Sequence, residues 1–377
     1  MIIRLILLSL LTLTGCGRER LEYLASAEAA QQQPARQAFQ PVEGATLRAR
    51  LDAAVRQGRA ASPAARFWTA WSFDVRPGLT VDLEYNGANP GAERETRNLG
   101  IFLLHEAEGG GIARLEVFNL DRQREYSGYR VFWLGRGGNE ESLAQIRPLA
   151  AAGQPERVAE HAVLAIAAHD DPRVSGLLRE FARQSAVVSV RKSAVFWLGQ
   201  IGGETAFLAE TIRNPNENVE VRKQAAFACG VSRDADALAT LQSIYPGIEN
   251  REVKKQIIFA ASVNRDADAA IDFLIRTART DADREARKQA LFWLGQKAGA
   301  RSLGALNEAV ESNDADTEVQ RQAVFAISQR PRDEAVPALI RIARTHPKPA
   351  VRKQAIFWLG QTGDERAVDF FKEVLSK

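Results

Sequence analysis

The sequence contains four histidines, and two of them are close enough together to suggest a metal site. His161 and His169 are eight residues apart, and Asp170-Asp171 follows His169 directly. Two imidazoles and a carboxylate can bind a transition metal. The position of His169 is more typical of a turn residue, so we expect neither a metal site nor a cofactor.

Other catalytic patterns are missing from the sequence. It has no phosphate-binding glycine loop, no nucleophile elbow and no pair of carboxylates placed for acid–base work. Gly109-Gly110-Gly111 is typical of a β-hairpin tip. An enzyme needs a unique residue in a special place, whereas this chain is dominated by repeated ones. We therefore expect no enzymatic activity.

One cysteine, Cys16, stands where a lipid anchor would be attached. Residues 1–14 hold one positive charge, Arg4, and an apolar run over 5–13, which predicts a secretory signal too short to span a bilayer stably. The run ends in Leu13-Thr14-Gly15-Cys16, which resembles the lipobox of bacterial lipoproteins. The resemblance implies a signal peptide over 1–15, acylation of Cys16 and a membrane-anchored lipoprotein on the periplasmic side of a bacterial cell envelope. An ordinary signal peptide, or a soluble chain with an apolar start, is the alternative.

Composition excludes some partners. The chain has 377 residues, 45% of them hydrophobic and 26% charged, with a formal net charge of +3. This near balance gives no basic field over the whole chain, so we expect no nucleic-acid partner. Residues 16–45 are rich in Ala, Gln and Glu, which predicts a lipidated tether.

A small antiparallel β unit is predicted over residues 46–138. Alternating or aromatic segments mark its candidate strands at 67–73, 79–85, 101–105, 112–118 and 129–134. The phrase Phe132-Trp133-Leu134-Gly135 is in phase with the repeats that follow, but its flanking glycines favour a strand and a turn. We expect this unit to cap the open end of the helical array.

The remainder, 139–377, is repetitive. The phrase Val190-Arg-Lys-Ser-Ala-Val-Phe-Trp-Leu-Gly-Gln200 recurs at intervals of 31, 32, 33, 33 and 32 residues, with a weaker copy at Val158. The other strong copies begin at Val221, Val253, Ala286, Val319 and Val351. A second apolar segment separates successive copies, so each period holds two helices. Such a pattern predicts a solenoid of helical hairpins.

The phrase VR-x-x-A-x-x-x-LG resembles the bacterial HEAT-like repeat, also called the PBS-lyase-type repeat. This resemblance implies a mainly α fold, a right-handed α-solenoid whose second helices line a concave side. It does not fix the function. Deoxyhypusine hydroxylase, a HEAT-like enzyme, binds di-iron through His-Glu pairs on its repeats, whereas His-Glu occurs here only at His105-Glu106, outside them. Bilin lyases share the scaffold, and an enzyme of that type stays an alternative.

Helical geometry divides the phrase into two faces. We number it from 0 at Val to 10 at the last Gln and advance about 100° per residue. Positions 0, 1, 4, 5, 7 and 8 share one arc, which predicts that Trp at position 7 lies in the core and that Cys229, at position 8, is buried and inert. Positions 2, 3, 6 and 10 share the opposite arc, where a cation, Phe and Gln recur.

These recurring cation, Phe and Gln positions predict a ladder that binds a partner. The ladder consists of Lys192, Phe196, Gln200, Lys223, Phe227, Lys255, Phe259, Lys288, Phe292, Gln296, Arg321, Phe325, Gln329, Lys353, Phe357 and Gln361. Its rings and amides suit another protein or an extended peptide, and its cations suit acidic groups on that partner. Simple ring packing between repeats is an equal alternative, and binding of an anionic envelope polymer is a further one.

Overall fold

The computed structural model describes residues 39–78, 98–107, 110–122, 124–312 and 316–376. The predicted signal peptide, Cys16, the candidate strand 79–85 and Gly109 all lie outside these residues. Contacts within the chain define two compact units, Met1–Ser193 and Ala194–Lys377. The boundaries derived from the sequence at 45/46 and 138/139 stay predictions.

The N-terminal unit combines a sheet with helices. Its strands are β1 (Gln40–Pro41), β2 (Phe67–Ser72), β3 (Leu99–His105), β4 (Ile112–Asn119) and β5 (Val131–Arg136). Its helices are α1 (Leu47–Ala61), α2 (Asn139–Ile146), α3 (Glu156–Ala167) and α4 (Arg173–Gln184). The strands predicted at 67–73, 101–105, 112–118 and 129–134 are each confirmed within a few residues, including the strand at the Phe-Trp-Leu-Gly phrase.

The sheet has the order β1-β5-β2-β3-β4. The pairs β2–β3 and β3–β4 are antiparallel as predicted, and Glu106 N–H donates to Gly111 O at the hairpin end. The pairs β1–β5 and β2–β5 are parallel, which corrects the prediction of a purely antiparallel unit. The reason is a crossover: the connection between β4 and β5 passes both β3 and β2, so β5 pairs with β2 instead of β4.

Helix α1 was not predicted from the sequence. It begins at the N-cap residue Thr46, whose hydroxyl accepts from Ala49 N–H, and it lies against β2 where Gly58 meets the ring of Phe67. Every residue of β3 is buried, because both faces of the sheet are covered. One face holds an aromatic cluster around Trp68 and Phe102. Continuous burial removes the polar alternation that marks a half-exposed strand.

Helical hairpins fill the C-terminal unit. Helix α5 (Val188–Ile201) runs across the division between the units. It is followed by α6 (Thr205–Arg213), α7 (Val219–Val231), α8 (Ala237–Ile244), α9 (Arg251–Ser262), α10 (Ala267–Thr280), α11 (Arg284–Gly295), α12 (Ala300–Glu311), α13 (Thr317–Ser328), α14 (Arg332–Thr345), α15 (Pro349–Gln361) and α16 (Glu365–Leu375). The repeated phrase forms the second helix of each hairpin, as predicted: α5, α7, α9, α11, α13 and α15.

Four of the six second helices begin at a side-chain cap. Asn218, Asn250, Asp283 and Asp316 each accept a hydrogen bond from the backbone N–H two residues later. The caps satisfy amide groups that a helix start leaves unpaired, and a Glu in the first turn complements the helix dipole. Helix α15 instead begins with Pro349, which has no N–H to satisfy.

The core of the array follows the predicted arc at positions 0, 4 and 8. Every residue at these positions is buried in the six strong copies, and all but Ile257 at position 4 are Ala. Cys229 is fully buried, and burial raises its pKa to about 12. The prediction that this thiol is buried is confirmed, and its raised pKa disfavours the reactive thiolate.

Trp71, Ser142 and His169 form a buried chain of polar contacts in the N-terminal unit. Trp71 Nε1–H donates to Ser142 Oγ at 2.8 Å, and Ser142 Oγ lies 2.8 Å from His169 Nε2. His169 Nδ1 lies 2.7 Å from Ala165 O, which can only accept, so Nδ1 carries the proton. Neutral His169 therefore accepts from Ser142. Burial lowers the pKa of His169 to about 4.

We expect acid to destabilise the N-terminal unit between pH 6.5 and pH 4. His169 is neutral when folded at pH values where the unfolded residue is already charged. Its contribution is therefore complete above about pH 6.5 and is lost as the pH falls towards 4, a loss of up to about 3 kcal/mol. Urea unfolding followed by tryptophan fluorescence at pH 7.5 and 4.5 measures this loss. His169→Gln should be less stable at pH 7.5 but lose less on acidification, and an equal loss in both proteins would contradict this assignment.

Candidate functional site

The predicted ladder contains a continuous row of aromatic rings. We define the aromatic row as Trp197, Phe196, Phe227, Phe259, Trp293, Phe292, Phe325, Trp358 and Phe357, in the order of their contacts. Each ring in this order lies 4.9–6.5 Å from the next, measured between ring centroids. The row connects six second helices, so the aromatic positions of the ladder do come together in space.

Two kinds of junction occur along this row, and they differ at positions 7 and 9 of the phrase. In the first kind, Gly at position 9 faces Ala at position 7 of the next repeat. A Cβ on Gly230 would lie only 2.5 Å from Ala260 O. The pairs Gly199–Ala228 and Gly295–Ala326 are equally close, at 2.7 and 2.8 Å. The helix backbones therefore touch, which only glycine permits.

Close helix approach brings Phe rings of neighbouring repeats face to face. At the three Gly–Ala junctions the paired Phe rings are 6.0–6.5 Å apart, and their planes differ by only 4–12°. Each ring is half-buried in this stack. Aromatic pairs of this kind contribute about 0.5–1.5 kcal/mol beyond the area they bury. The Phe side chains thus pack between neighbouring repeats, which is the ring-packing alternative given for the ladder.

The second kind of junction has Ser at position 9 and Trp at position 7 of the next repeat. Ser262 is matched with Trp293 of the next repeat, and Ser328 with Trp358. Here the indole ring contacts the preceding Phe at 5.0 and 5.2 Å in tilted geometry. The three Trp side chains of the repeats are half-buried, which corrects the prediction that they lie in the core. The 100° rule failed because position 7 lies at the arc's edge, beside the preceding helix.

Most ladder cations are paired within their own helix. Lys223, Lys255 and Lys288 lie 3.0–3.2 Å from the carboxylate of the Glu three residues earlier, and Arg321 lies 2.8 Å from Glu318. Three of these pairs are exposed and the Lys288 pair is half-buried. Pairs near the surface contribute about 0–1 kcal/mol each, so a partner can open them. The ladder is therefore less positive than its cations alone indicate.

Two cations and four amides complete the ladder. Lys192 and Lys353 have no Glu three residues earlier and no ion-pair partner within the described ranges. Gln200, Gln296, Gln329 and Gln361 are all exposed at the ends of their second helices. Phe357, in the last copy, is 55% exposed. The solvent-facing surface of the ladder is thus a strip of ring edges, amides and openable ion pairs.

Two sequence signals for this arrangement went unrecognised. The residue at position 9 of each copy predicts the residue at position 7 of the next copy. At all five junctions, Gly at position 9 goes with Ala at position 7 of the next copy, and Ser goes with Trp. The Glu before each paired cation recurs at Glu220, Glu252, Glu285 and Glu318. Both patterns appear only when neighbouring copies are compared position by position.

The histidines singled out for metal chemistry have other partners. His161 Nδ1 lies 2.6 Å from Leu115 O and 3.2 Å from Glu116, and the hydrogen bond to Glu116 raises the pKa of His161. His169 belongs to the buried polar chain with Ser142. Within the described ranges no group of His, Cys, Asp and Glu could hold a metal ion. In the same residues, no helix combines the length and apolar character needed to cross a bilayer.

The helical hairpins are similar to those of a known family. Residues 205–295 and 305–377 match a family model described as HEAT repeats. The hairpins over these residues thus have the fold of a HEAT-like α-solenoid. No curated protein matches the chain.

Several solved structures are similar at low identity. Human deoxyhypusine hydroxylase in complex with glycerol is 15% identical, over 62% of this chain and 90% of its own, with a TM-score of 0.30. The YibA protein of E. coli is 16% identical, over 58% and 82%, with a TM-score of 0.33. Yeast importin-beta is 13% identical, over 62% and 38%, with a TM-score of 0.35.

We expect a side chain added at a Gly–Ala junction to destabilise the helical array. Gly230→Ser places its Cβ against Ala260 O, which overpacks the seam and should cost about 1–3 kcal/mol. Gly360 stands at the same position of the last copy, with nothing within 4 Å of an added Cβ. Gly360→Ser should therefore change the free energy of unfolding by less than about 0.5 kcal/mol. Urea unfolding followed by circular dichroism at 222 nm compares the two variants, and equal losses would disprove the close approach.

Proposed function

We propose that the HEAT array is a non-catalytic scaffold or assembly and sensor factor that binds another protein along the ladder. The observation that carries the proposal is the aromatic row, whose rings are half-buried by one another and still reach the surface from Phe196 to Phe357. Such rings offer contact area that is already ordered, so binding costs little side-chain entropy.

The polar groups of the ladder favour an extended peptide or a helix as the bound segment. Exposed glutamines recur along the strip, and each can both donate to and accept from a peptide backbone. Acidic groups on the partner can replace Glu220, Glu252, Glu285 or Glu318 at the adjacent cation. Lys353 is open to such groups without any exchange.

An anionic envelope polymer is less well supported as the ligand. A polyanion gains affinity from an array of free cations, whose counterions it displaces. Four of the six ladder cations already have a carboxylate partner at 2.8–3.2 Å. Competition with these carboxylates lowers the gain from charge alone, which leaves the rings as the main source of affinity.

We further propose that the scaffold works at the cell envelope, held by a lipid on Cys16. The apolar run over 5–13 and the Leu-Thr-Gly-Cys sequence support this location. Two or more acyl chains would anchor the protein firmly, since each buried CH₂ contributes about 0.8 kcal/mol. Metabolic labelling with an alkyne fatty acid should mark the wild-type protein in the membrane fraction. Cys16→Ser should lose the label and leave that fraction, and a labelled Cys16→Ser protein would refute acylation at this residue.

Partner capture from solubilised envelope tests the binding proposal. The ladder variant carries Gln296→Glu, Gln329→Glu and Lys353→Glu, three exposed changes that leave the ring stack intact. We expect it to recover at least about tenfold less partner than the wild type, because charge is placed beside the rings. Recovery by the wild type should fall less than about threefold between 0.1 and 0.5 M salt, since apolar contacts resist screening.

The control carries Arg279→Glu and Arg344→Glu, which alter net charge by the same amount on exposed positions of first helices. It should recover as much partner as the wild type, and circular dichroism should show equal helicity in all three proteins. Equal recovery by the ladder variant and the wild type would show that the ladder only packs. Failure of the wild type to recover any partner would also count against the proposal.

A further inference from the structure

A hollow of about 630 Å³ opens between the hairpins that contain α8 and α10. Helix α8 has 8 residues, whereas α10 has 14. Helix α8 ends at Ile244 because Pro246 lacks the N–H that another helical turn needs, and the chain turns through Tyr245–Gly247 instead. The longer α10 therefore overhangs an unfilled space. None of the residues that line this space belongs to the ladder.

Aromatic rings form the floor of this hollow. Tyr245 is 6% exposed and contacts Phe273 edge to face at 5.2 Å. The Tyr245 hydroxyl donates to Asp281 Oδ2 at 2.6 Å, which fixes the ring in place. Asp281 Oδ1 accepts from Asp283 N–H at 2.8 Å, so both carboxylate oxygens already have a donor.

Lys254, beside the hollow, departs from the repeat pattern. It stands at position 1 of the phrase. In the other copies the Arg or Gln side chain at this position donates a hydrogen bond to a backbone carbonyl that precedes the second helix. The five contacts are Arg191 to Ser185 O, Arg222 to Ile212 O, Arg287 to Asp281 O, Gln320 to Val310 O and Arg352 to His346 O, all at 2.8–2.9 Å. The Lys254 ammonium, in contrast, makes no hydrogen bond to any described residue.

The Lys254 ammonium is instead held at the edge of the hollow. It lies 5.0 Å from the Tyr245 ring centroid and 3.7 Å from Asp281 Oδ1, and its side chain is only 18% exposed. Arg276 also lines the hollow, with one long contact of 3.5 Å to Gln242. Two cations and one carboxylate thus line the space, which favours an anion, and Lys254 keeps donors that no described residue uses.

We propose that this hollow binds an organic carboxylate, with Lys254 and Arg276 on the carboxylate and the rings of Tyr245 and Phe273 against an apolar body. The volume lies in the range of small-molecule sites, and the combination of an aromatic floor with a few polar groups is typical of them. A free small acid and the C-terminal carboxylate of a peptide present the same chemistry. The site is separate from the ladder and does not depend on its function.

Saturation-transfer NMR on the full chain tests this site with 3-phenylpropionate and its neutral amide, 3-phenylpropionamide. We expect the acid to bind at least about tenfold more tightly than the amide, because a charged acceptor gains most from an ammonium donor. Lys254→Met should weaken binding of the acid about tenfold, and Arg276→Gln about threefold. The adjacent ladder variant Lys255→Met loses the same charge and should bind within about twofold of the wild type.

The tetrapeptide Ala-Ala-Ala-Phe, with a free or an amidated C-terminus, distinguishes a small acid from a peptide C-terminus as the source of the carboxylate. Tighter binding of the free peptide than of 3-phenylpropionate would identify a peptide terminus as the ligand, and weaker binding would identify a small acid. Equal affinity for acid and amide would overturn the proposal. Full binding by folded Lys254→Met, or no transfer to the acid at about 5 mM, the weak limit of a specific site, would also overturn it.

Discussion

Close packing between successive second helices is the constraint on which the array depends. Where Gly faces Ala, the backbones touch and the Phe side chains of the two repeats stack. Where Ser faces Trp, the indole ring occupies the seam and contacts the preceding Phe. The residue at position 9 of each repeat therefore restricts the residue at position 7 of the next. These contacts between neighbouring hairpins stabilise the array.

Seam packing and partner binding are compatible in this geometry. Rings that stack on one another are held in one conformation, and a surface that is already ordered loses little entropy when it binds. The Phe side chains remain half-exposed because the buried arc of each helix is filled by Val, Ala and Leu. Four of the six ladder cations are paired with a Glu from the same turn, which weakens non-specific attraction to anions.

The sequence predicted the helical hairpins well because their signal is local and repeated. Six copies of one phrase fix the period, the buried positions and the burial of Cys229. The angular positions within one helix wrongly placed Trp197, Trp293 and Trp358 in the core, because they carry no information about the neighbouring helix. The charge of the ladder was overestimated because the Glu three residues before four of its six cations becomes apparent only when the copies are compared position by position.

The N-terminal unit shows the same limit for a sheet. Its strands were visible as apolar segments, but the parallel pairing of β5 with β2 depends on a crossover that adjacency in sequence does not reveal. Helix α1 was missed because its apolar residues are mostly alanines, whose pattern is weak. The hollow beside Lys254 depends on the unequal lengths of two helices, which a single Pro246 sets.

Site-specific photo-crosslinking in cells tests the central claim most directly, that the ladder is both a seam and a binding surface. A benzophenone amino acid would replace Gln296 or Gln329 on the ladder, or the exposed Asp272 on a first helix as the reference. We predict one protein adduct of the same mass from both ladder positions and none from Asp272. An adduct from Asp272 alone, or no adduct from either glutamine, would contradict the account.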